Sequence, residues 1–178
     1  MWKILNLCLD GMEVNMERVS KINYYLDIAE VVSKRGTCTR KNYGCIIVKH
    51  DEIISTGYTG APRGRKNCID LGYCVKKQAL PNTRHGGYDA CRSVHAEQNA
   101  MLSAARKDMI DSSLFLVGVR ADTNDYEEGA SHCQMCRKLI INSGIKNVFV
   151  RVNKSEYVEI HVEDWVKNDD LLNGITTY

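Results

Sequence analysis

The stretch "CQMCRKLIINSGIKNVFV" at residues 133–150 holds a cysteine pair, a helical pattern, a helix stop and a strand, in that order. Cys133 and Cys136 stand one helical turn apart. The apolar spacing predicts a helix from about Gln134 to Asn142, and Gly144 supplies the stop. The β-branched run "KNVFVRV" that follows predicts a strand. A helix that leads directly into a buried strand is typical of a parallel crossover in an α/β sheet.

The flanking segments continue this alternation of helices and strands. The continuous apolar run "SLFLVGV" (113–119) is typical of a strand in the middle of a sheet. "YVEIHV" (157–162) predicts another strand and "EDWVKND" (163–169) a short last helix. Upstream, "SVHAEQNAMLSAARK" (93–107) predicts a helix that begins close to His95.

The first half of the chain supplies one helix, a hairpin and a long loop. Apolar spacing predicts a helix from about Ile22 to Arg35, with Ser20 as its cap and Gly36 as its stop. "YGCIIVKHDEIISTGY" (43–58) predicts two strands joined around His50. Residues 59–93 lack periodicity, and a loop this long in a compact domain usually has a function or an anchor. We therefore expect an α/β protein whose mixed sheet lies between layers of helices.

Length and composition exclude several classes of protein. The chain has 178 residues, 44% of them hydrophobic, which suits a single domain over residues 20–178 and leaves residues 1–19 as an extension of unknown role. A net charge of +2 argues against a polymeric nucleic-acid partner. No apolar stretch has the length of a membrane span and no secretion signal is recognisable, so we expect a cytoplasmic protein with no membrane partner. Its eight cysteines then indicate reduced thiols and metal binding rather than disulfides.

The cysteine pair has three candidate roles: a redox pair, half of a structural zinc clip, or two ligands of a catalytic metal. A helix start favours ionised thiolates, and the pair begins a predicted helix, as His95 does. One histidine and two thiolates leave the fourth zinc position open for water, which is the arrangement of a catalytic site. Glu97 would stand near that metal without binding it. A redox pair would give His95 and Glu97 no role.

Five blocks of the chain carry a resemblance to a known family. The H-x-E motif followed by C-x-x-C is the mark of zinc deaminases that act on cytosine or adenine. Together with the flanking blocks, it resembles the cytidine deaminase superfamily and, within it, the deoxycytidylate (dCMP) deaminases. The blocks are "AEVVSKRGTCTRKNYGCIIV", "IISTGYTGAPRG", "NCIDLGYC", "CRSVHAEQNA" and "CRKLIINSGIKNVFV".

The resemblance implies both a fold and a reaction. The fold would be a three-layer α/β/α structure with a five-stranded mixed sheet. Zinc would be held by His95, Cys133 and Cys136, with Glu97 as the catalytic proton shuttle and the Ala96 N–H bound to the pyrimidine carbonyl. The reaction would be hydrolysis of dCMP to dUMP, which supplies thymidylate precursor. Relatives of this kind are usually homo-oligomers, commonly hexamers, and many respond to dCTP and dTTP, with Mg²⁺ needed only alongside such an effector.

Two positions depart from the family pattern. His132 stands where the family usually has proline, in a loop longer than usual. Thr59 stands where the family usually has a substrate-contacting asparagine, and threonine keeps a hydroxyl but loses the reach of an amide. Thr59 thus leaves other substrates open: cytidine, or a guanine or pterin-like ring. A catalytically inactive zinc-binding member also stays open.

Basic residues and further cysteines suggest two more sites. A nucleotide phosphate needs cations beside the pocket, and we expect Arg40 to contact it. The alternatives to a phosphate contact are an ordinary solvated basic loop or an effector site. The other basic residues in question are Lys41, Arg63, Arg65 and Lys66. Some members of the nucleotide branch carry a second, structural zinc. Here Cys68 and Cys91 would bind it with two of Cys74, His85 and Cys38, unless these are simply buried free thiols.

Overall fold

The computed structural model describes residues 18–81, 88–127 and 133–168. A short 3₁₀ turn covers Tyr88–Ala90. The helices are α1 (Lys21–Ser33), α2 (Cys68–Leu71), α3 (Val75–Ala79), α4 (Ala96–Leu102), α5 (Arg106–Met109), α6 (Gln134–Ser143) and α7 (Val162–Asn168). The strands are β1 (Lys41–Lys49), β2 (Glu52–Tyr58), β3 (Ser113–Arg120), β4 (Asn147–Arg151) and β5 (Tyr157–His161).

The strands form one five-stranded mixed sheet in the order β2-β1-β3-β4-β5. β3 is central, antiparallel to β1 and parallel to β4, while the two outer pairs are antiparallel. The apolar run in β3 is buried from Leu114 to Val119, as its composition predicts. The mixed sheet and the parallel crossover through α6 are therefore confirmed.

Helices cover both faces of the sheet. On one face, Leu26 and Ala29 of α1 pack into a core with Phe115 and Phe149. The other face packs against α4 to α7, through residues such as Ala100 and Ile140. The three-layer α/β/α arrangement is confirmed, with α4 and α6 on the same side of the sheet.

Close contact between β2 and α4 depends on a glycine. A Cβ atom at Gly57 would lie 2.2 Å from the Ala96 carbonyl oxygen and 2.3 Å from the Ala100 nitrogen. Only glycine permits this approach of helix to strand. The first turn of α4, which contains Glu97, is thereby fixed against the sheet.

Local signals locate several element ends correctly. Ser20 caps α1, since its hydroxyl oxygen accepts from the Asn23 N–H at 3.3 Å. Gly144 ends α6 in the left-handed conformation at φ 83°. The β1–β2 hairpin turns at His50 and Asp51, whose φ angles of 49° and 69° fit a two-residue hairpin turn.

Other expectations about the elements are wrong in detail. α1 ends at Ser33 rather than Arg35, because the next residues form tighter turns, with the Arg35 N–H bonded to the Val32 carbonyl. The single helix expected over residues 93–107 is two helices, broken between Leu102 and Arg106. The loop of residues 59–93 contains two short helices, α2 and α3.

Within the described ranges, no helix is long and apolar enough to cross a membrane. The expected extension of residues 1–19 lies almost wholly outside the described residues, so the domain division stays a prediction. His85 and His132 also lie outside them.

Candidate active site

The two sequence motifs meet at the N-termini of α4 and α6. His95 is the N-cap of α4, and its backbone N–H donates to Gln98 Oε1 at 3.2 Å. Cys133 is the N-cap of α6, and its sulfur accepts from the Cys136 backbone N–H at 3.3 Å. Such N–H groups and the helix dipole stabilise negative charge on the sulfur. Both helices therefore begin at a residue that presents a donor atom to the same point.

Three donor atoms lie within reach of one ion. His95 Nδ1 is 3.3 Å from Cys133 Sγ and 3.4 Å from Cys136 Sγ, and the two sulfurs are 3.2 Å apart. Ligands arranged tetrahedrally around zinc stand roughly 3.5–3.8 Å apart, so a small outward movement would accommodate the ion. Two thiols and one imidazole form a donor set that zinc prefers. The residues present fit a zinc ion with one position left for another ligand.

Ionisation within this group favours a bound cation. The hydrogen bond to Cys136 lowers the pKa of the Cys133 thiol to about 4, and the same contact raises the pKa of Cys136. Burial alone would lower the pKa of His95, but the hydrogen bond to Cys133 and nearby negative charge raise it overall. The sulfurs thus compete for one proton, which a metal cation would replace.

Glu97 lies beside the three donors without being one of them. It follows His95 by two residues on the first turn of α4 and is only 3% exposed. Burial raises the pKa of its carboxyl, while its own backbone N–H and the His95 charge act in the opposite direction. The carboxyl also interacts with the Cys136 thiol. A buried carboxyl with a raised pKa is suited to accept and donate a proton.

Further side chains near the donors were not predicted from the sequence. The Tyr88 ring stands edge-on to the His95 ring, with centroids 4.9 Å apart, and Lys76 Nζ lies 4.8 Å from the Tyr88 centroid. Burial, followed by the charges of Glu127 and Glu97, raises the pKa of Tyr43. Tyr88 and Lys76 lie in a loop region without periodicity, so no sequence signal could have identified them.

The three predicted substrate-binding residues differ in their location and in their exposure to solvent. Ala96 is the first residue of α4, where backbone N–H groups have no partner within a helix. Thr59 is 7% exposed, and its Oγ1 accepts from the Tyr43 N–H at 3.0 Å. Arg40 is exposed just before β1, whose first residue pairs with Arg120 at the end of β3.

The extra cysteines are near one another but do not form a metal site among the described residues. Burial raises the pKa of Cys68 and a hydrogen bond with Ser93 lowers it, while the charges of Cys38, Cys74 and Cys91 raise it. Within the described part of the chain, His95, Cys133 and Cys136 form the single group of three donors close enough for one ion. The second zinc stays a prediction. Cys45 is fully buried in the core, as its alternation within β1 indicates.

The fold and this donor set define a class, an α/β/α protein with a zinc-type site where two helices begin. Residues 19–152 match the model of the cytidine and deoxycytidylate deaminase zinc-binding region, and the chain belongs to this family.

Individual relatives are similar over much of the chain. It is 32% identical over 137 residues to the deoxycytidylate deaminase of Mycobacterium phage D29, covering 75% of this chain and 95% of that one. It is 31% identical over 139 residues to the deoxycytidylate deaminase of Schizosaccharomyces pombe, covering 78% of this chain but 39% of the yeast protein. The crystal structure of dCMP deaminase from cyanophage S-TIM5 in complex with dCMP and dUMP matches with 28% identity and a TM-score of 0.49, over 72% of this chain and 78% of that one.

Proposed function

We propose that the protein is a zinc-dependent hydrolase that converts dCMP and water to dUMP and ammonia. The observation that carries the proposal is the meeting of His95 Nδ1 with the Cys133 and Cys136 sulfurs, beside the buried carboxyl of Glu97. Relatives named deoxycytidylate deaminase support the choice of dCMP as substrate.

Each residue then has a role that follows from its place. His95, Cys133 and Cys136 hold the zinc. Bound zinc would supply a water whose pKa is lowered towards about 7. Glu97 accepts a proton from water on its carboxylate and donates it to the cytosine ring nitrogen. It then accepts a second proton, from the hydroxyl added at C4, and donates it to the amino group, which leaves as ammonia. The Ala96 N–H, at the positive end of α4, donates to the pyrimidine carbonyl.

Arg40 and Thr59 complete the proposed substrate site. The start of β1 lies at the same edge of the sheet as the end of β3, which supports Arg40 as the phosphate contact. Thr59 Oγ1 already accepts from the Tyr43 N–H, which leaves the hydroxyl proton for a sugar oxygen. A threonine used in this way makes fewer contacts with the sugar than an asparagine would.

Assembly, regulation and location are further parts of the proposal. Leu102 is 81% exposed on α4, and Met135 and Leu139 are exposed on the neighbouring α6. Such apolar surface supports a homo-oligomer, for which we favour a hexamer. Effector nucleotides with Mg²⁺, a second zinc and a cytoplasmic location, where thiol ligands stay reduced, are proposed on the resemblance.

A substrate panel tests the proposed reaction. Zinc-loaded protein is assayed for ammonia release from dCMP, CMP, deoxycytidine and guanine, with dCTP and Mg²⁺ present. We expect turnover of dCMP to exceed that of the other three. Turnover of guanine or deoxycytidine in preference to dCMP would contradict the assignment of a nucleotide substrate. The absence of ammonia release from all four compounds would contradict deamination.

A further inference from the structure

The region around α3 places a lysine beside the proposed active site. Lys76 lies in the middle of α3, and the 3₁₀ turn that begins with Tyr88 packs against this helix. The Lys76 ammonium stands over the Tyr88 ring, 4.8 Å from its centroid. Neither residue has a part in the chemistry proposed above, although Tyr88 touches the His95 ring.

Two contacts in series connect Lys76 to the proposed zinc ligands. The Tyr88 and His95 centroids are 4.9 Å apart with the rings near perpendicular at 71°. The next contact, from Tyr88 to the lysine, is equally short. The Lys76 ammonium is therefore separated from the His95 ring by one aromatic side chain.

A phosphate group on the substrate would explain a cation at this position. A nucleoside monophosphate differs from its nucleoside only by an anionic group, so preference for the nucleotide requires cations at a fixed distance from the reacting base. Lysine binds phosphate as a point charge, and a cation–π contact limits where that charge can stand. A lysine held in this way loses less freedom on binding than one extended in solvent.

We propose that Lys76 contacts the 5′-phosphate of the substrate and that Tyr88 is the positioning residue that holds the ammonium there. This inference rests on the proposed function. Lys76 thereby determines the preference for dCMP over deoxycytidine. Arg40, proposed above for the same phosphate, would be a second cation.

The test compares two neighbouring lysines on one helix. Lys76→Gln removes the half-buried charge, and Lys77→Gln removes the adjacent exposed charge as the matched control. KM and kcat are measured for dCMP and for deoxycytidine. We expect Lys76→Gln to raise KM for dCMP by about tenfold or more, the usual scale for losing a hydrogen bond to a charged group. Deoxycytidine kinetics should not change, and Lys77→Gln should match wild type within about twofold.

Other outcomes separate the alternatives. Equal losses on both substrates would assign Lys76 a structural role and overturn the proposal, as would an unchanged KM for dCMP. Recovery of dCMP affinity in Lys76→Arg supports it, because arginine restores the charge. Wild-type protein that does not turn over dCMP would remove the proposed function and this inference together. Normal wild-type turnover with an unaltered substrate preference in Lys76→Gln would remove the inference alone.

Discussion

At the scale of single residues, the proposed chemistry depends on the separation of Glu97 from the metal donors. The three donors occupy the starts of two helices, whereas Glu97 lies one position inside α4 and is buried against the Cys136 thiol. A structural zinc site would gain nothing from a buried carboxyl that does not bind the ion. The burial of Glu97 thus favours a catalytic role for the site.

Replacing that carboxyl with an amide separates zinc binding from catalysis. We expect Glu97→Gln to keep the zinc content of wild type and to lower kcat for dCMP by about 10²–10⁴-fold, because the amide cannot move a proton. Zinc is measured by metal analysis and turnover by ammonia release. Glu52→Gln, at an exposed position of β2, is the control. A Glu97→Gln variant with wild-type turnover would disprove the shuttle role.

At the scale of elements, the contact between β2 and α4 positions the carboxyl of Glu97, the proposed proton shuttle. Gly57→Ala would force the Ala96 carbonyl away, since the added methyl group would overlap it. We expect the free energy of unfolding to fall by about 1–3 kcal/mol, as is usual for overpacking, and kcat to fall as Glu97 shifts. Urea denaturation and dCMP turnover measure the two effects. Thr56→Ala, the exposed neighbour, should change neither appreciably, and a Gly57→Ala protein equal to it would contradict the tight contact.

Some elements could be predicted from sequence because their signals are local. α6 begins at a capping cysteine and ends at Gly144, so its limits are within one residue of those expected. The hairpin turn, the apolar β3 and the short α7 likewise follow from local patterns. The break between α4 and α5 could not be predicted, because Ala104 and Ala105 between them favour a helix locally. Tyr88 and Lys76 approach His95 only through tertiary packing of a loop without periodicity.

At the scale of the whole molecule, a buried arginine joins the first helix to the last two strands. The Arg151 side chain is 0% exposed. Its guanidinium donates to the Asn23 carbonyl at 3.1 Å, the Lys154 carbonyl at 2.5 Å and Asp27 Oδ1 at 2.9 Å. Sequence patterns gave no indication of this role, because an arginine at a strand end is usually solvated.

Removal of this arginine tests how far the connection stabilises the fold. We expect Arg151→Met to lower the free energy of unfolding by about 3 kcal/mol, since the two carbonyls and the Asp27 carboxylate lose their buried partner. Lys154→Met removes the exposed ion-pair partner of the same carboxylate and should cost at most about 1 kcal/mol. Both are measured by urea denaturation. Equal effects of the two substitutions would show that burial of Arg151 contributes no more than a surface ion pair.

The proposed function requires that the site at the starts of α4 and α6 deaminate dCMP only when it holds zinc. The most direct measurement is a titration of zinc into metal-free protein while ammonia release from dCMP is followed. We predict that the metal-free protein is inactive and that turnover rises with zinc until His95, Cys133 and Cys136 are saturated. Full activity without metal, or zinc bound at these residues with no ammonia released, would contradict the account.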